Sequence, residues 1–355
     1  MKILVGLSGG VDSSVTAFLL KQQGHEVVGA TMAIWGDRGI KSQLKDNMPT
    51  HGACFGPDEK EDIESARKVA EQIGIPFYVF DCAKQYEDIV LSNFKEEYLS
   101  GNTPNPCIWC NSLIKFGAFP MLAKANGIDF DKFATGHYAR IENNGDKYIL
   151  KKGVYPKKDQ SYFLYRLKQE QLSNIILPLG DKTKDEIRAI AKENGLIAAE
   201  KPDSQDFYAG DYNDLLGVEE KEGNIVDLSG KILGKHKGFW NYTIGQRKGI
   251  GVSSTEPLYV IELRKDTNEV VIGPKDKTMN DTLIATNLNW IGGFKEECTA
   301  KIRSTQTPVS VKVENKGESI IVKFDDMQKS IAKGQSIVLY DEDLVLGGGI
   351  ITEIK

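Results

Sequence analysis

One stretch near the start, Leu7-Ser8-Gly9-Gly10-Val11-Asp12-Ser13-Ser14, limits what the chain can become. It follows an apolar run of strand composition, Lys2 to Leu7, and leads into Val11, Val15, Phe18 and Leu19, which share one helical face. The stretch is therefore a tight turn between a strand and a helix N-terminus. Gly9 and Gly10 reach backbone angles closed to other residues and let a ligand come close. Around them, unpaired N–H groups and the hydroxyls of Ser8, Ser13 and Ser14 are expected to converge on one spot. Such a spot attracts an anion, a phosphate first of all. The Walker pattern is absent, and no lysine stands in the turn to follow a transferred terminal phosphate.

Strand-like and helix-like segments then alternate. His25 to Trp35, Pro76 to Asp81 and Lys132 to Gly136 read as strands, and Glu59 to Ile73 and Glu87 to Tyr98 as helices, with Gly74 closing the first of these helices. This pattern predicts a parallel, doubly wound α/β sheet with its ligands at the carboxyl ends of the strands. Thr183-x-x-Glu186 is a capping box that opens a further helix. Beyond it the periodicity changes to short alternating runs such as Leu258 to Leu263, Val309 to Val313 and Ser319 to Phe324. At 355 residues more than one core is expected: a nucleotide-binding unit over 1–205, a central β-rich unit over 206–275 and a C-terminal β-barrel over 276–355.

No apolar run approaches the roughly 20 residues of a membrane span, and the start lacks the layout of a signal peptide, so a cytoplasmic protein without membrane contact is expected. Its five cysteines are too scattered for a disulfide framework and are read as thiols, ligands or catalysts. Cys82 and Cys298 fall within apolar stretches and are expected to be buried. The net charge of −5 leaves only a local surface for nucleic acid. Lysines and arginines at 151, 152, 157, 158, 235, 237, 247, 248, 301 and 303 would have to supply it.

A second constellation, Gly101-Asn102-Thr103-Pro104-Asn105-Pro106-Cys107-Ile108-Trp109-Cys110-Asn111, is a stiff loop entering a helix expected to begin near Asn111. A thiol at a helix N-terminus has its thiolate favoured by the dipole, which makes Cys110 a candidate nucleophile. On spacing alone, a redox pair or half of a zinc site remains open.

The spelling of the first loop resembles the pyrophosphate loop of the ATP pyrophosphatase superfamily, which splits ATP into AMP and pyrophosphate while adenylating a carbonyl oxygen. The cysteine loop, followed by Ile114-Lys115-Phe116-Gly117, resembles the signature of the tRNA-specific 2-thiouridylases, the MnmA family. Further motifs of that family occur in order: Ala134-Thr135-Gly136-His137-Tyr138-Ala139, Lys158-Asp159-Gln160-Ser161-Tyr162-Phe163-Leu164, Asp203-Ser204-Gln205-Asp206, Tyr242-Thr243-Ile244-Gly245-Gln246-Arg247-Lys248-Gly249 and Gly334-Gln335-Ser336. The resemblance implies that Gly6, Leu7, Ser8, Gly9, Gly10, Val11, Asp12 and Ser13, with Met32 and Gly136, bind ATP and its magnesium. It also implies that Asn105, Pro106, His137, Lys158, Asp159, Gln160, Arg303, Ser304 and Gln335 contact tRNA, and that Cys110 is the catalytic cysteine. Asp12 either positions the metal or fixes the loop.

The chain departs from the family at one position. Tyr208 stands where most members carry a second cysteine that receives the persulfide sulfur, and a tyrosine carries no sulfur. Three accounts follow. Cys107 replaces the missing partner; or Cys54, Cys107 and Cys110 ligate a four-iron four-sulfur cluster, as in cluster-dependent tRNA thiolases; or the chain binds ATP and RNA without thiolating. The expected activity is ATP-dependent conversion of a tRNA wobble uridine to 2-thiouridine, with sulfur from a donor protein or sulfide. A small-molecule ligase built on the same ATP unit, or a non-catalytic tRNA-binding paralogue, is the alternative.

Overall fold

The computed structural model describes residues 1–36, 53–202, 207–208 and 210–355. The Asp203-Ser204-Gln205-Asp206 motif lies outside the described residues.

The chain begins with β1 (Lys2–Gly6), α1 (Val11–Gln22), β2 (Glu26–Ala33), α2 (Glu59–Ile73) and β3 (Phe77–Asp81). A continuous helix follows, α3, made of Ala83–Tyr86, a π-helical stretch Glu87–Leu91 and Ser92–Leu99. The next, α4, joins Pro106–Trp109, a π-helical stretch Cys110–Ala118 and Phe119–Ala125. Then come β4 (Lys132–Ala134), a hairpin of β5 (Ala139–Asn143) and β6 (Tyr148–Lys152), β7 (Ile175–Ile176) and α5 (Lys184–Glu193).

The first sheet runs β3-β2-β1-β4-β7 with every pairing parallel. Alternation along β1 covers both of its faces. Leu4 joins Val28, Phe80 and Phe133 in a core shared with α3 and α4, while Ile3 and Val5 join Val27 and Ala134 in a second core with α1, α2 and α5. This is the doubly wound arrangement, and it brings the turns after β1, β2 and β4 to one edge. The Thr183–Glu186 capping box is formed in both directions, and Gly74 ends α2 in the left-handed conformation with φ 72°.

A four-stranded sheet follows, β10-β11-β8-β9, from β8 (Gly223–Val226), β9 (Ile232–His236), β10 (Tyr259–Arg264) and β11 (Glu269–Gly273). Its core includes Phe94 of α3, so this sheet seats on the first unit. The last six strands are β12 (Met279–Trp290), β13 (Glu297–Lys301), β14 (Val309–Asn315), β15 (Ser319–Lys329), β16 (Ser336–Asp341) and β17 (Leu344–Ile354). They close into an antiparallel barrel through the β12–β17 pairing. The β5–β6 hairpin, which precedes β7 in the chain, adds to the barrel's sheet by pairing Lys151 with Leu344. The buried Tyr162 hydroxyl donates to the Ser336 carbonyl at 2.8 Å and ties the barrel to the first unit.

Several expected boundaries shift: α3 begins at Ala83 rather than Glu87, and β2 ends at Ala33 rather than Trp35. Strand β4 ends at Ala134, so Gly136 lies in the turn beyond it, and α4 begins at Pro106 rather than near Asn111. Proline fits the first helical position because its missing N–H would be unpaired there in any case.

Candidate active site

The turn between β1 and α1 has the expected form with two exceptions, the first being Gly10, whose φ of −87° is extended backbone open to any residue. Gly9 sits at φ 74°, and a Cβ there would meet the Asp62 carbonyl oxygen at 2.8 Å, so only glycine fits. The Ser8 and Ser13 hydroxyls lie 3.1 Å apart, and the Ser8 N–H donates to Ser13 Oγ. Ser14 is the second exception: it is buried, and its hydroxyl donates back to the Gly10 carbonyl at 2.7 Å, one turn earlier, so it does not serve a ligand. Asp12 is held on two sides. Lys184 Nζ reaches its two carboxylate oxygens at 2.8 and 2.9 Å, and the Tyr138 hydroxyl donates to one of them at 2.8 Å. These bonds tie the loop to α5 and to the turn after β4.

These residues form one wall of a cavity of about 490 Å³, within the range of small-molecule sites. Gly6, Leu7, Ser8, Gly10, Val11, Asp12 and Ser13 line it, together with Met32 near the end of β2 and Gly136 after β4. Gly136 packs directly on the loop: a Cβ there would lie 2.8 Å from the Asp12 carbonyl carbon and 2.9 Å from the Ser13 nitrogen. Lys115, Lys158 and Lys201 also reach the wall, Lys201 paired with Asp62 at 2.8 Å.

Three cysteines complete the lining. Cys107, Cys110, Asn111 and Lys115 of α4 line the same cavity, and Cys54 joins them from the segment that follows β2. The π-helical stretch starts at Cys110, where its wider turn re-aims the following side chains; such stretches recur at functional sites. Upstream, the barrel holds the loop. The Thr103 N–H donates to the Lys333 carbonyl at 2.8 Å, and Gln335 Nε2 donates to the carbonyls of Thr103 at 2.9 Å and Pro104 at 3.1 Å. Cys54 is positioned by its neighbour Phe55, whose ring stacks on Tyr86 at 5.2 Å and on Phe207 at 6.0 Å, and whose N–H donates to the Phe207 carbonyl at 3.1 Å. Tyr208 turns its ring into the same aromatic core and is 3 % exposed.

The thiols are not the dipole-activated kind expected from the sequence. Burial pushes Cys110 up to about 11, against the opposing pull of Lys115 and with the Cys54 charge adding to the rise. Cys107 is pushed up to about 12 by burial first, then by the charges of Cys54 and Cys110. The physical reason is position: Cys110 lies beyond the first helical turn and inside the wall, where desolvation outweighs the dipole. Carbamidomethylation of Cys110, followed by peptide mass spectrometry, is therefore expected to speed up about tenfold per pH unit from about pH 7 to 10 without a plateau. A plateau near neutrality would contradict the burial argument.

The residues expected to meet tRNA separate into groups. His137, Lys158 and Gln160 line the cavity. His137 accepts or donates a 2.8 Å bond with Thr135 Oγ1 and lies against Phe116, and burial first, then Lys115, holds its imidazole well below the usual range, hence neutral. Gln160 Oε1 accepts from the Tyr138 N–H at 2.9 Å and braces the turn that carries Gly136. Arg303 is exposed and donates to the Ser330 carbonyl at 3.1 Å, with half-buried Ser304 beside it, on the barrel. Asn105 and Pro106 sit in the loop that precedes Cys107 and do not line the cavity, and Gln335 holds that loop.

Asp159 is a correction. Its side chain is 3 % exposed, accepts from the N–H groups of Gly153 and Ser161, and faces Lys301 Nζ at 3.6 Å, itself 6 % exposed. A carboxylate so enclosed holds the barrel to the segment before Gln160 rather than touching RNA. Asp159→Ala leaves the Lys301 ammonium buried and unpaired, with an expected cost of about 3 kcal/mol in urea unfolding. A loss under about 0.5 kcal/mol would mark the pair as solvated.

Two cavity-related lysines escape sequence reading. Lys184 is 7 % exposed and reaches Asp12 across 172 positions, yet in sequence it is only the residue after a helix cap; Lys201 has no motif around it. Asn111 is legible as a motif member but not for its state: its Oδ1 is buried on the cavity wall with no hydrogen-bond partner among the described residues.

Three family models match in order along the chain: a tRNA methyl transferase HUP domain over 1–208, a tRNA methyl transferase PRC-barrel domain over 216–274 and an aminomethyltransferase β-barrel domain over 280–351. Among curated proteins, the tRNA-specific 2-thiouridylase MnmA of Endomicrobium trichonymphae is 50 % identical over 360 residues, covering 99 % of both chains. The chain belongs to the tRNA-specific 2-thiouridylase family. Its relative of the same name from Geotalea uraniireducens is 45 % identical over 99 % of this chain and 94 % of that one, and the one from Clostridioides difficile is 45 % identical over 99 % and 98 %. A solved complex of a 4-thiouridine synthetase with RNA and ATP superposes only loosely, with TM-score 0.35 and 20 % identity over 59 % of this chain and 45 % of that one. That likeness carries no weight for the site.

Proposed function

We propose that the chain activates the wobble uridine of a tRNA with ATP and replaces its 2-oxygen with sulfur. One observation carries this reading: a single cavity is lined both by a phosphate-type loop and by three cysteines. ATP lies with its phosphates at the N-terminus of α1, where first-turn N–H groups and the helix dipole favour negative charge. The uridine 2-oxygen attacks the α-phosphorus and pyrophosphate leaves. Charge on that leaving group is met by the loop amides and by the wall lysines Lys115, Lys158 and Lys201, aimed before the reaction starts. Asp12 does not change partner in this account; with Lys184 and Tyr138 it keeps the loop rigid. A magnesium ion arriving with the nucleotide would neutralise phosphate oxygens.

The uridine leaves its stack to reach the cavity, at a cost of a few kcal/mol that an anticodon loop keeps low. Neutral His137 and the unpartnered Asn111 Oδ1 offer polar contacts where a base edge would enter. Sulfur from a donor protein or sulfide then displaces AMP at carbon 2. The alternative carrier is an iron–sulfur cluster on Cys54, Cys107 and Cys110. Among the described residues no three Cys, His, Asp or Glu side chains are gathered to share one metal ion, but a cluster takes one thiolate per iron, and three thiols around one cavity suit that donor chemistry. When bound, such a cluster would supply an open iron able to hold sulfide. In this reading the nucleotide unit catalyses and the two β units face the tRNA.

Incubation with α-labelled ATP tests the reaction class. AMP and pyrophosphate should form only when tRNA is present; ADP, or AMP formed equally without tRNA, would overturn the proposal.

A further inference from the structure

The three thiols of the cavity are not equivalent. Cys107 and Cys110 are half-buried on α4, whereas Cys54 is exposed while still lining the cavity. Exposure here does not mean looseness. The next residue, Phe55, is 1 % exposed, and its stacking on Tyr86 and Phe207 and its N–H bond to the Phe207 carbonyl hold Cys54 beside the segment that carries Tyr208. Cys54 therefore joins solvent to the site. All three thiols line one cavity.

Sulfur exchange proceeds by attack of a thiolate on an accessible sulfur, and an enclosed thiol is reached slowly by a bulky donor. We infer that Cys54 is the entry point for sulfur, taking it from a persulfide donor at the surface and passing it to the Cys107–Cys110 pair. This rests on the thiolation reading above.

The chemistry balances. Cys54 attacks the outer sulfur of a donor R–S–SH, releasing R–SH and leaving Cys54–S–SH. A thiol of the α4 pair takes the outer sulfur in turn and restores the Cys54 thiol; neither exchange is a net oxidation. The persulfide on Cys110 attacks carbon 2 of the adenylated uridine, AMP departs, and Cys107 attacks Cys110 Sγ. The S–S bond to the base breaks, giving 2-thiouridine and a Cys107–Cys110 disulfide. The sulfane sulfur gains two electrons and the two thiols lose them, so a dithiol reductant is needed once per turnover.

The test uses the full chain with glutathione persulfide labelled in its outer sulfur, quenched by alkylation and mapped by mass spectrometry. In the unmodified protein the label should reach Cys54 before the pair. In Cys54→Ser, and equally in Cys54→Ala, labelling of Cys107 and Cys110 should slow at least about tenfold. In the Cys107→Ser/Cys110→Ser double variant the label should stay on Cys54. Cys298→Ser, on the barrel, should label as the unmodified protein does. Pair labelling at the unmodified rate in both Cys54 variants would overturn the inference. So would about four irons per chain after anaerobic purification that are lost with Cys54→Ser, since Cys54 would then be a ligand. The thiolation reading fails separately, if the labelled protein forms no AMP with ATP and tRNA.

Discussion

Cys110→Ser lowers tRNA thiolation at least about a thousandfold and depresses tRNA-dependent pyrophosphate release far less. The asymmetry follows from the proposed division of labour in the cavity. In that proposal the base is activated by the loop after β1 and the lysines of the lining, none of which needs the sulfur. Transfer needs a sulfur nucleophile, and a serine hydroxyl holds neither a persulfide nor an iron at neutral pH. Parallel assays of labelled pyrophosphate and of thiolated nucleoside measure the split. Equal losses in both would mean that Cys110 supports binding or folding rather than transfer.

Gly136→Val has the opposite signature. Its Cβ would fall within 2.8 Å of the Asp12 carbonyl carbon and 2.9 Å of the Ser13 nitrogen, both backbone atoms that cannot swing aside. Either the loop that cradles the phosphates or the turn after β4 must move. A displacement near 1 Å at a reacting centre costs about a hundredfold in rate. Pyrophosphate release should fall by about that factor, with the effect largest on the chemical step. Gly136→Ala meets the same contacts with a smaller side chain and should lose less. An unchanged rate in Gly136→Val would show that the phosphates bind elsewhere.

Much of the nucleotide unit is legible in the sequence because its determinants are local. Helix α2 spans Glu59–Ile73, as its apolar periodicity indicates, and the Thr183 cap and the Gly9 turn are written in adjacent residues. What the sequence conceals depends on partners far away. Asp159 looks like one more polar residue of a tRNA-facing motif until Lys301, buried on β13, closes over it. Lys184 acquires its role only when α5 lies beside α1. The helix of the cysteine loop starts at Pro106, so Cys110 lies past its first turn, and burial leaves the thiol protonated instead of activated. The β5–β6 hairpin belongs to the nucleotide unit by sequence and to the barrel's sheet by hydrogen bonding.

Phe55 lies against the Tyr208 ring, and its N–H donates to the carbonyl of Phe207, so the segment that carries Cys54 is tied to the one that carries Tyr208.

The central claim is that the uridine oxygen is adenylated before sulfur replaces it, and the fate of that oxygen tests it. A tRNA carrying oxygen-18 at carbon 2 of the wobble uridine, turned over with ATP and a sulfur source, should place the heavy atom in the phosphoryl group of AMP, one label per 2-thiouridine formed. Label appearing in water while AMP stays light, or thiouridine formed without AMP, would contradict the account.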